Sequence, residues 1–215
     1  MSAQTAVGTR LAELDVIILA GGRGSRLGGV DKSALVYSGI PLRRHVLSSV
    51  RAAGRVVWVG EATAGLAGDA WPELLVTREH PAFAGPAAAL GAGLAALEDD
   101  PASFTLVLAA DLPRAADAVP ALLRAFERAG NGVLAVDDTG RRQFLLGIYP
   151  SGQLRREVRR HSLAGGLDGL PLRRLIDAID VTEVPIDGAL CADVDTAEDA
   201  ASHGIRIATE EGETS

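Results

Sequence analysis

A three-layer α/β sandwich on a mainly parallel, twisted sheet is the fold this sequence predicts, and two observations predict it. Short runs that are apolar at nearly every position recur along the chain, and longer helical stretches separate them. The runs are "DVIILA" (15–20), "VVWVG" (56–60), "LLVT" (74–77), "FTLVLAA" (104–110) and "GVLAV" (132–136). Continuous rather than alternating apolar character suits strands covered on both faces. Strands that alternate with helices favour crossover connections and a parallel sheet.

Taken in order, each element has a local reason. "PLRRHVLSSVRAAG" (41–54) opens on proline and closes on glycine, the punctuation of a helix. Trp58, inside the second run, reads as core. "GPAAALGAGLAALEDD" (85–100) is rich in alanine and leucine, and "AVPALLRAFERAG" (118–130) again ends in glycine. Beyond residue 140 the pattern loosens: 144–150 reads as a strand, 154–160 as a basic helix face, 172–180 as helical and 181–186 as extended. The segment "DTAEDAASHG" (195–204) reads as a closing helix capped at Thr196. Residues 1–13 are expected to be a loose extension, 14–204 a single domain and 205–215 a mobile acidic tail.

The totals narrow the classes of function. A chain of 215 residues suits one domain, and 47% apolar residues permit a sizeable core. Its formal charge of −7 argues against a nucleic-acid binder. Cys191, the single cysteine, excludes an intramolecular disulfide and a zinc site of several cysteines, and suits a reducing compartment. No stretch reaches the apolar length of a transmembrane helix, and "MSAQTAVGTRLAEL" lacks the basic start and hydrophobic centre of a signal peptide. A soluble, cytoplasmic protein with no nucleic-acid or membrane partner is expected.

Behind the first run lies "LAGGRGSRLGGVDKS" (19–33), a glycine-rich loop holding two arginines and one lysine. Backbone N–H groups without side chains in the way form a concave anion site, and phosphate is its natural guest. Two well-known phosphate loops do not fit. In the dinucleotide pattern Gly22-x-Gly24 would be followed three residues on by glycine, where Leu27 stands, and in a Walker A loop Lys32 would follow glycine rather than Asp31.

The loop resembles the signature L-A-G/A-G-x-x-x-R-M-G-x-x-K of nucleotidyltransferases with a nucleotide-diphospho-sugar-transferase-like (Rossmann-like) fold. With "LAGG" and "GGVDK" it is most similar to the molybdenum cofactor guanylyltransferase family; Leu27 replaces the usual methionine. The resemblance covers about residues 14–204. It implies that Leu19, Ala20 and Gly21 contact the guanine nucleotide and that Gly22 and Gly24 let the backbone close on its phosphates. Arg26 and Lys32 would neutralise the triphosphate.

Further fragments carry the same resemblance. "LVLAADLP" (106–113) sets Asp111 at the carboxyl end of a strand, and the family's D-x-P segment holds the metal, implying Mg²⁺ on Asp111. "CADVDTAEDA" (191–200) is similar to the closing motif D-x-D-T-P-E-D, with Ala197 for proline. Asp195 would join the metal, while Asp193 serves either the metal or a helix cap. "REHPAFAGPAAAL" (78–90) resembles the segment ending G-P-L-x-x-L, where Gly85 and Pro86 open a helix toward ligand. Glu79 and His80 compete for the place of the family's acidic nucleotide contact. The asparagine that some members carry after the second strand has no counterpart. His45, His161 and His203 show no metal-ligand spacing. The basic face 155–160 is either a solvated surface or a contact for an anionic pterin phosphate.

What the resemblance implies is transfer of GMP from GTP to the terminal phosphate of molybdenum-loaded molybdopterin, with Lys32, Arg26 and Asp111 as the catalytic set. Transient contact with cofactor-delivery or molybdoenzyme proteins would follow. Three alternatives stay open: a cytidylyltransferase of the same cofactor, whose loop more often reads L-A-A-G, a guanylyltransferase of another small phosphate acceptor, and a non-catalytic nucleotide-binding paralogue.

Overall fold

All five residues of β1 (Asp15–Leu19) are buried, because the strand lies at the middle of a sheet covered on both faces. The computed structural model describes residues 10–21, 31–62, 66, 74–99, 101–192 and 205–206. Flanking β1 in parallel are β4 (Arg55–Val59) on one side and β6 (Phe104–Ala109) on the other. Outside β4 runs β5 (Leu74–Thr77), also parallel. Beyond β6 come β8 (Arg142–Pro150), β7 (Val133–Val136) and β9 (Thr182–Pro185), in the order β5-β4-β1-β6-β8-β7-β9. Only β8 opposes the rest, pairing antiparallel with both β6 and β7.

Alternate residues of β1 feed two cores, as the period-two geometry of a strand requires. Val16 and Ile18 pack with Trp58, Leu106 and Leu108 beneath α1 (Leu42–Ser49) and α3 (Ala115–Ala129). Ile17 and Leu19 pack with Val57, Val59 and Val107 beneath α2 (Pro86–Ala95) and α4 (Ser151–Ala164). These are the three layers. Trp58 is wholly buried, and its indole N–H donates to the Glu61 carbonyl at 3.2 Å.

At the amino ends of the strands, Asp15 is 2% exposed and accepts three hydrogen bonds at 2.9 Å, two from the Arg55 guanidinium and one from the Ala102 N–H. One carboxylate thus ties β1 to β4 and to the approach of β6. A second, three-stranded sheet joins β2 (Val36–Tyr37), β3 (Ile40–Pro41) and β10 (Ile205–Arg206). Two short helices, α5 (Arg173–Ile176) and α6 (Gly188–Cys191), follow later in the chain. Among the described residues no helix is long and apolar enough to cross a membrane.

Several boundaries differ from those the sequence predicts. Helix α1 stops at Ser49, five residues before Gly54, and residues 50–54 turn toward β4. Helix α3 begins at Ala115, ahead of the predicted 118, because Ala115, Ala118 and Val119 all find core partners there. Of 172–180 only the single turn of α5 is helical. At the termini, Leu11 and Leu14 are buried in the first core, so tertiary packing orders residues 10–13 of the expected loose extension. Ile205 is likewise buried and pairs with Tyr37, so the tail expected from 205 begins with a strand. The expected closing helix at 195–204 lies outside the described residues.

Helix α2 approaches the sheet through Gly93, where an added Cβ would sit 2.7 Å from Ile17 Cγ2 and 3.0 Å from Val59 Cγ2. Gly93→Ala gains about 1 kcal/mol of helix propensity but overpacks a branched core side chain at about 1–3 kcal/mol. The expected outcome in urea unfolding is a net loss of about 1 kcal/mol.

Candidate active site

The chain leaves β1 toward β4 on one side and returns to β6 on the other, so the carboxyl ends of β1 and β6 face a crevice at a topological switch point. Ladder bonds hold the floor of that crevice: Ala110 N–H donates to Leu19 O at 3.0 Å, and Ala20 N–H to Val59 O at 2.8 Å. One residue past Ala110 stands Asp111. Opposite it is Lys32, the first residue of a 3₁₀ turn over Lys32–Ala34. Asp31 Oδ1 fixes that turn by accepting from Ser33 N at 2.9 Å and Ser33 Oγ at 2.8 Å. Lys32 Nζ lies 3.4 Å from Asp111 Oδ2, and both side chains are about four-fifths buried, at 23% and 17% exposure.

Above this pair opens a cavity of about 920 Å³, large enough for a nucleotide and a second small molecule. Leu19, Ala20, Gly21, Lys32, Glu79, Gly85 and Asp111 all line it. Glu79 is 6% exposed and accepts the Phe83 N–H on Oε1 at 2.9 Å. A Cβ on Gly21 would stand 3.7 Å from that same oxygen, so the carboxylate flanks the first glycine of the loop. Gly85 caps α2 at φ 98°, with Pro86 at its first position, so the positive end of that helix meets the cavity.

The antiparallel course of β8 supplies the opposite wall. Its amino end reaches the edge where the parallel strands finish, and Arg142 through Leu146 line the cavity together with Gly140, Arg141, Leu172 and Arg173. Arg142 is paired with Asp177 at 2.5 Å and Glu183 at 3.0 Å, and its guanidinium lies 5.2 Å from the Phe144 ring. Tyr149 braces the strand by folding over Gly147 and donating to Phe144 O at 2.8 Å; a Cβ on Gly147 would meet its ring at 2.6 Å. Burial pushes the Tyr149 phenol well above its ordinary range.

Of the nucleotide- and metal-binding residues that the resemblance implies, seven therefore share one cavity, while His80 is exposed and does not line it. Gly22, Gly24, Arg26, Asp193 and Asp195 lie outside the described residues. Among the described residues no group of three His, Cys, Asp or Glu side chains could hold a metal ion. In the basic stretch 155–160, Arg156, Arg159 and Arg160 are exposed, as a solvated face requires, and Arg155 departs from that role. Arg155 donates to the carbonyls of Leu94 at 2.9 Å and Leu97 at 2.8 Å, closing the carboxyl end of α2, and Arg160 pairs with Glu157 at 2.7 Å. The wall from Gly140 to Phe144 and the side chains of Phe83 and Arg173 are not predicted. "FLLGIYP" reads as a strand, but nothing local in it tells its direction.

Residues 16–182 match the family model described as the MobA-like NTP transferase domain. The chain belongs to that family. A molybdenum cofactor guanylyltransferase of Cupriavidus pinatubonensis is 34% identical over 131 residues, 59% of this chain and 64% of that protein. One from Albidiferax ferrireducens is 37% identical over 119 residues, covering 52% and 53% respectively. The match thus spans between about half and two thirds of these curated relatives. The crystal structure of molybdopterin-guanine dinucleotide biosynthesis protein A from Archaeoglobus fulgidus has a TM-score of 0.65 at 21% identity. It covers 88% of this chain and 96% of that one, and shares the predicted fold class.

In this MobA-like domain the turn that leads into β8 is held by a single carboxylate. Asp137 Oδ1 accepts from Thr139 N at 2.9 Å, Thr139 Oγ1 at 2.6 Å and Arg141 N at 3.0 Å, while Oδ2 accepts from Gln143 Nε2 at 2.7 Å. The Thr139 hydroxyl leads in lowering the Asp137 carboxyl to about 2, with the Arg141 N–H and the Gln143 amide adding to it. On the same wall, burial foremost and then the negative charges of Asp137, Asp138 and Asp187 push the Cys191 thiol up to about 11, so it stays a thiol at neutral pH.

A carboxyl whose folded value is depressed stabilises the fold above its ordinary range, and that contribution is lost as pH falls through about 2. Carboxyl-carbon NMR on Asp137 is expected to titrate near that value. Thr139→Val is expected to raise the midpoint toward the ordinary carboxylate range by removing the hydroxyl.

Proposed function

We propose that this chain is a molybdenum cofactor guanylyltransferase, moving GMP from GTP to the terminal phosphate of molybdenum-loaded molybdopterin and releasing pyrophosphate. The observation that carries this reading is the Lys32–Asp111 pair on the floor of a cavity with two distinct walls. A cation and a hard carboxylate oxygen side by side at the switch point suit a triphosphate and its counterion. The names of the curated relatives support the choice of base and acceptor.

In this reading GTP lies against the wall of Gly21, Glu79 and Gly85, with its phosphates toward Lys32. Lys32 leaves Asp111 to pair with the triphosphate, and its point charge follows the phosphate into the transition state. The Gly21 backbone and the positive end of α2 add electrostatic support. The acceptor enters on the β8 wall, where Arg141 and Arg173 offer guanidinium groups for its anionic end. Its terminal phosphate oxygen attacks the α-phosphorus in line, a P–O bond forms, and the bond to the pyrophosphate oxygen breaks. The attacking oxygen arrives already charged, so no general base is needed.

The donor set fits a magnesium ion of the kind carried by nucleotides, which binds through one or two carboxylates and completes its shell with phosphate oxygens and waters. Asp111 would hold it, and Asp195, which lies outside the described residues, would be the second carboxylate. When bound, magnesium neutralises charge on the phosphate oxygens and the departing pyrophosphate. The cytoplasm, where GTP is at hand, is the location that goes with this reading, and passage of product to a delivery protein or molybdoenzyme follows from it.

Turnover with molybdenum-loaded molybdopterin, comparing GTP, CTP and ATP by product mass, tests the proposal. A guanylylated product is expected, and a cytidylylated one would move the protein to the sister activity. Lys32→Ala and Asp111→Asn are each expected to lower kcat about a hundredfold or more, the scale of removing one preorganised charge from the transition state.

A further inference from the structure

Among the described residues only two outside glycine have positive φ, Ser38 at 51° and Phe83 at 64°. Ser38 needs no special account, since Ser38-Gly39 is the two-residue connection between β2 and β3, where hairpin geometry demands such angles. Phe83 connects no hairpin. A bulky side chain in the left-handed region is strained, and such strain persists where the surroundings hold it and clusters at ligand sites.

The surroundings do hold it. The buried Glu79 carboxylate accepts the Phe83 N–H, and the neighbouring Ala84, 3% exposed, is fastened twice. Ala84 N–H donates to Pro81 O at 3.3 Å, and Ala84 O accepts from Gly169 N–H at 2.8 Å. So the backbone is pinned while Phe83, 49% exposed, lines the cavity wall. Glycine or asparagine would meet the same backbone requirement without strain and without apolar exposure. A phenyl ring presented in this way is suited to cover the flat face of a ligand.

We infer that Phe83 is the stacking platform for the heterocyclic base of the bound nucleotide, held in place by Glu79. A planar pterin offers the same chemistry. The base is favoured because the carboxylate that holds Phe83 is the one that flanks Gly21, on the wall assigned to the nucleotide. This inference rests on the nucleotide-binding reading above. Stacking is tolerant of which base is bound, so Phe83 supplies affinity and leaves base choice to other groups.

Calorimetric titration of the full chain with magnesium present, using GTP, inorganic tripolyphosphate and 6-hydroxymethylpterin phosphate, tests it. Phe83→Ala and Phe83→Leu are expected to weaken GTP about five- to a hundredfold, the scale of one base–aromatic stack, with tripolyphosphate unchanged. Phe83→Trp, which keeps an aromatic face, is expected to hold GTP within about twofold of the parent protein. Equal GTP affinity in all variants overturns the inference, and so does a matching loss of tripolyphosphate, which would mean a displaced loop. Loss confined to the pterin phosphate overturns the assignment to the base. Failure of the parent protein to bind GTP overturns the nucleotide reading itself, which separates the two.

Discussion

Parallel neighbours cannot be joined by tight turns, and this molecule depends on that constraint. Each return from one parallel strand to the next needs a crossover, and the crossovers here bury both faces of β1 under helices. The same constraint sends the carboxyl ends of β1, β4, β5 and β6 to one edge of the sheet. Because connections leave β1 in opposite directions, that edge splits between β1 and β6. Lys32 and Asp111 face each other across that split, which helices leave open.

Charge in this chain is local rather than global. The formal charge is −7, yet Lys32, Arg141, Arg142 and Arg173 all reach one cavity. They do not contribute alike. Arg142 is paired with Asp177 and Glu183, so it shapes the wall, and Lys32 is paired with Asp111. An anion entering the cavity competes with a carboxylate for Lys32, a competition that only a multiply charged guest such as a triphosphate wins easily.

The two walls are made rigid by different means. On the side of Gly21 and Gly85, Glu79 and the Gly169–Ala84 hydrogen bond pin a short strained loop. On the β8 side the four acceptor contacts of Asp137 hold the turn, and Tyr149 braces the strand behind it. Both devices fix backbone and so set the direction of the side chains that face the guest.

By itself the sequence determined the layered class, because a strand covered on both faces must be apolar along its length, as "VIIL" (16–19) and "LVLA" (106–109) are. Its resemblance to the nucleotidyltransferase signature also pointed to seven residues that the fold brings to one cavity, because such motifs are short and local. Tertiary structure alone decided the rest. The direction of β8 is invisible in "FLLGIYP", because an apolar run reads the same whichever way it pairs. Arg155 looked like free surface charge until the end of α2 lay beneath it. Leu11 and Ile205 sit in segments whose composition suggests loose ends, and only burial against distant partners orders them. Phe83 carries no mark in the sequence, because its strain comes from a carboxylate four residues away and from a loop that meets it only in the fold. Local chemistry is written locally, whereas direction, partnership and strain belong to contacts between residues far apart in the chain.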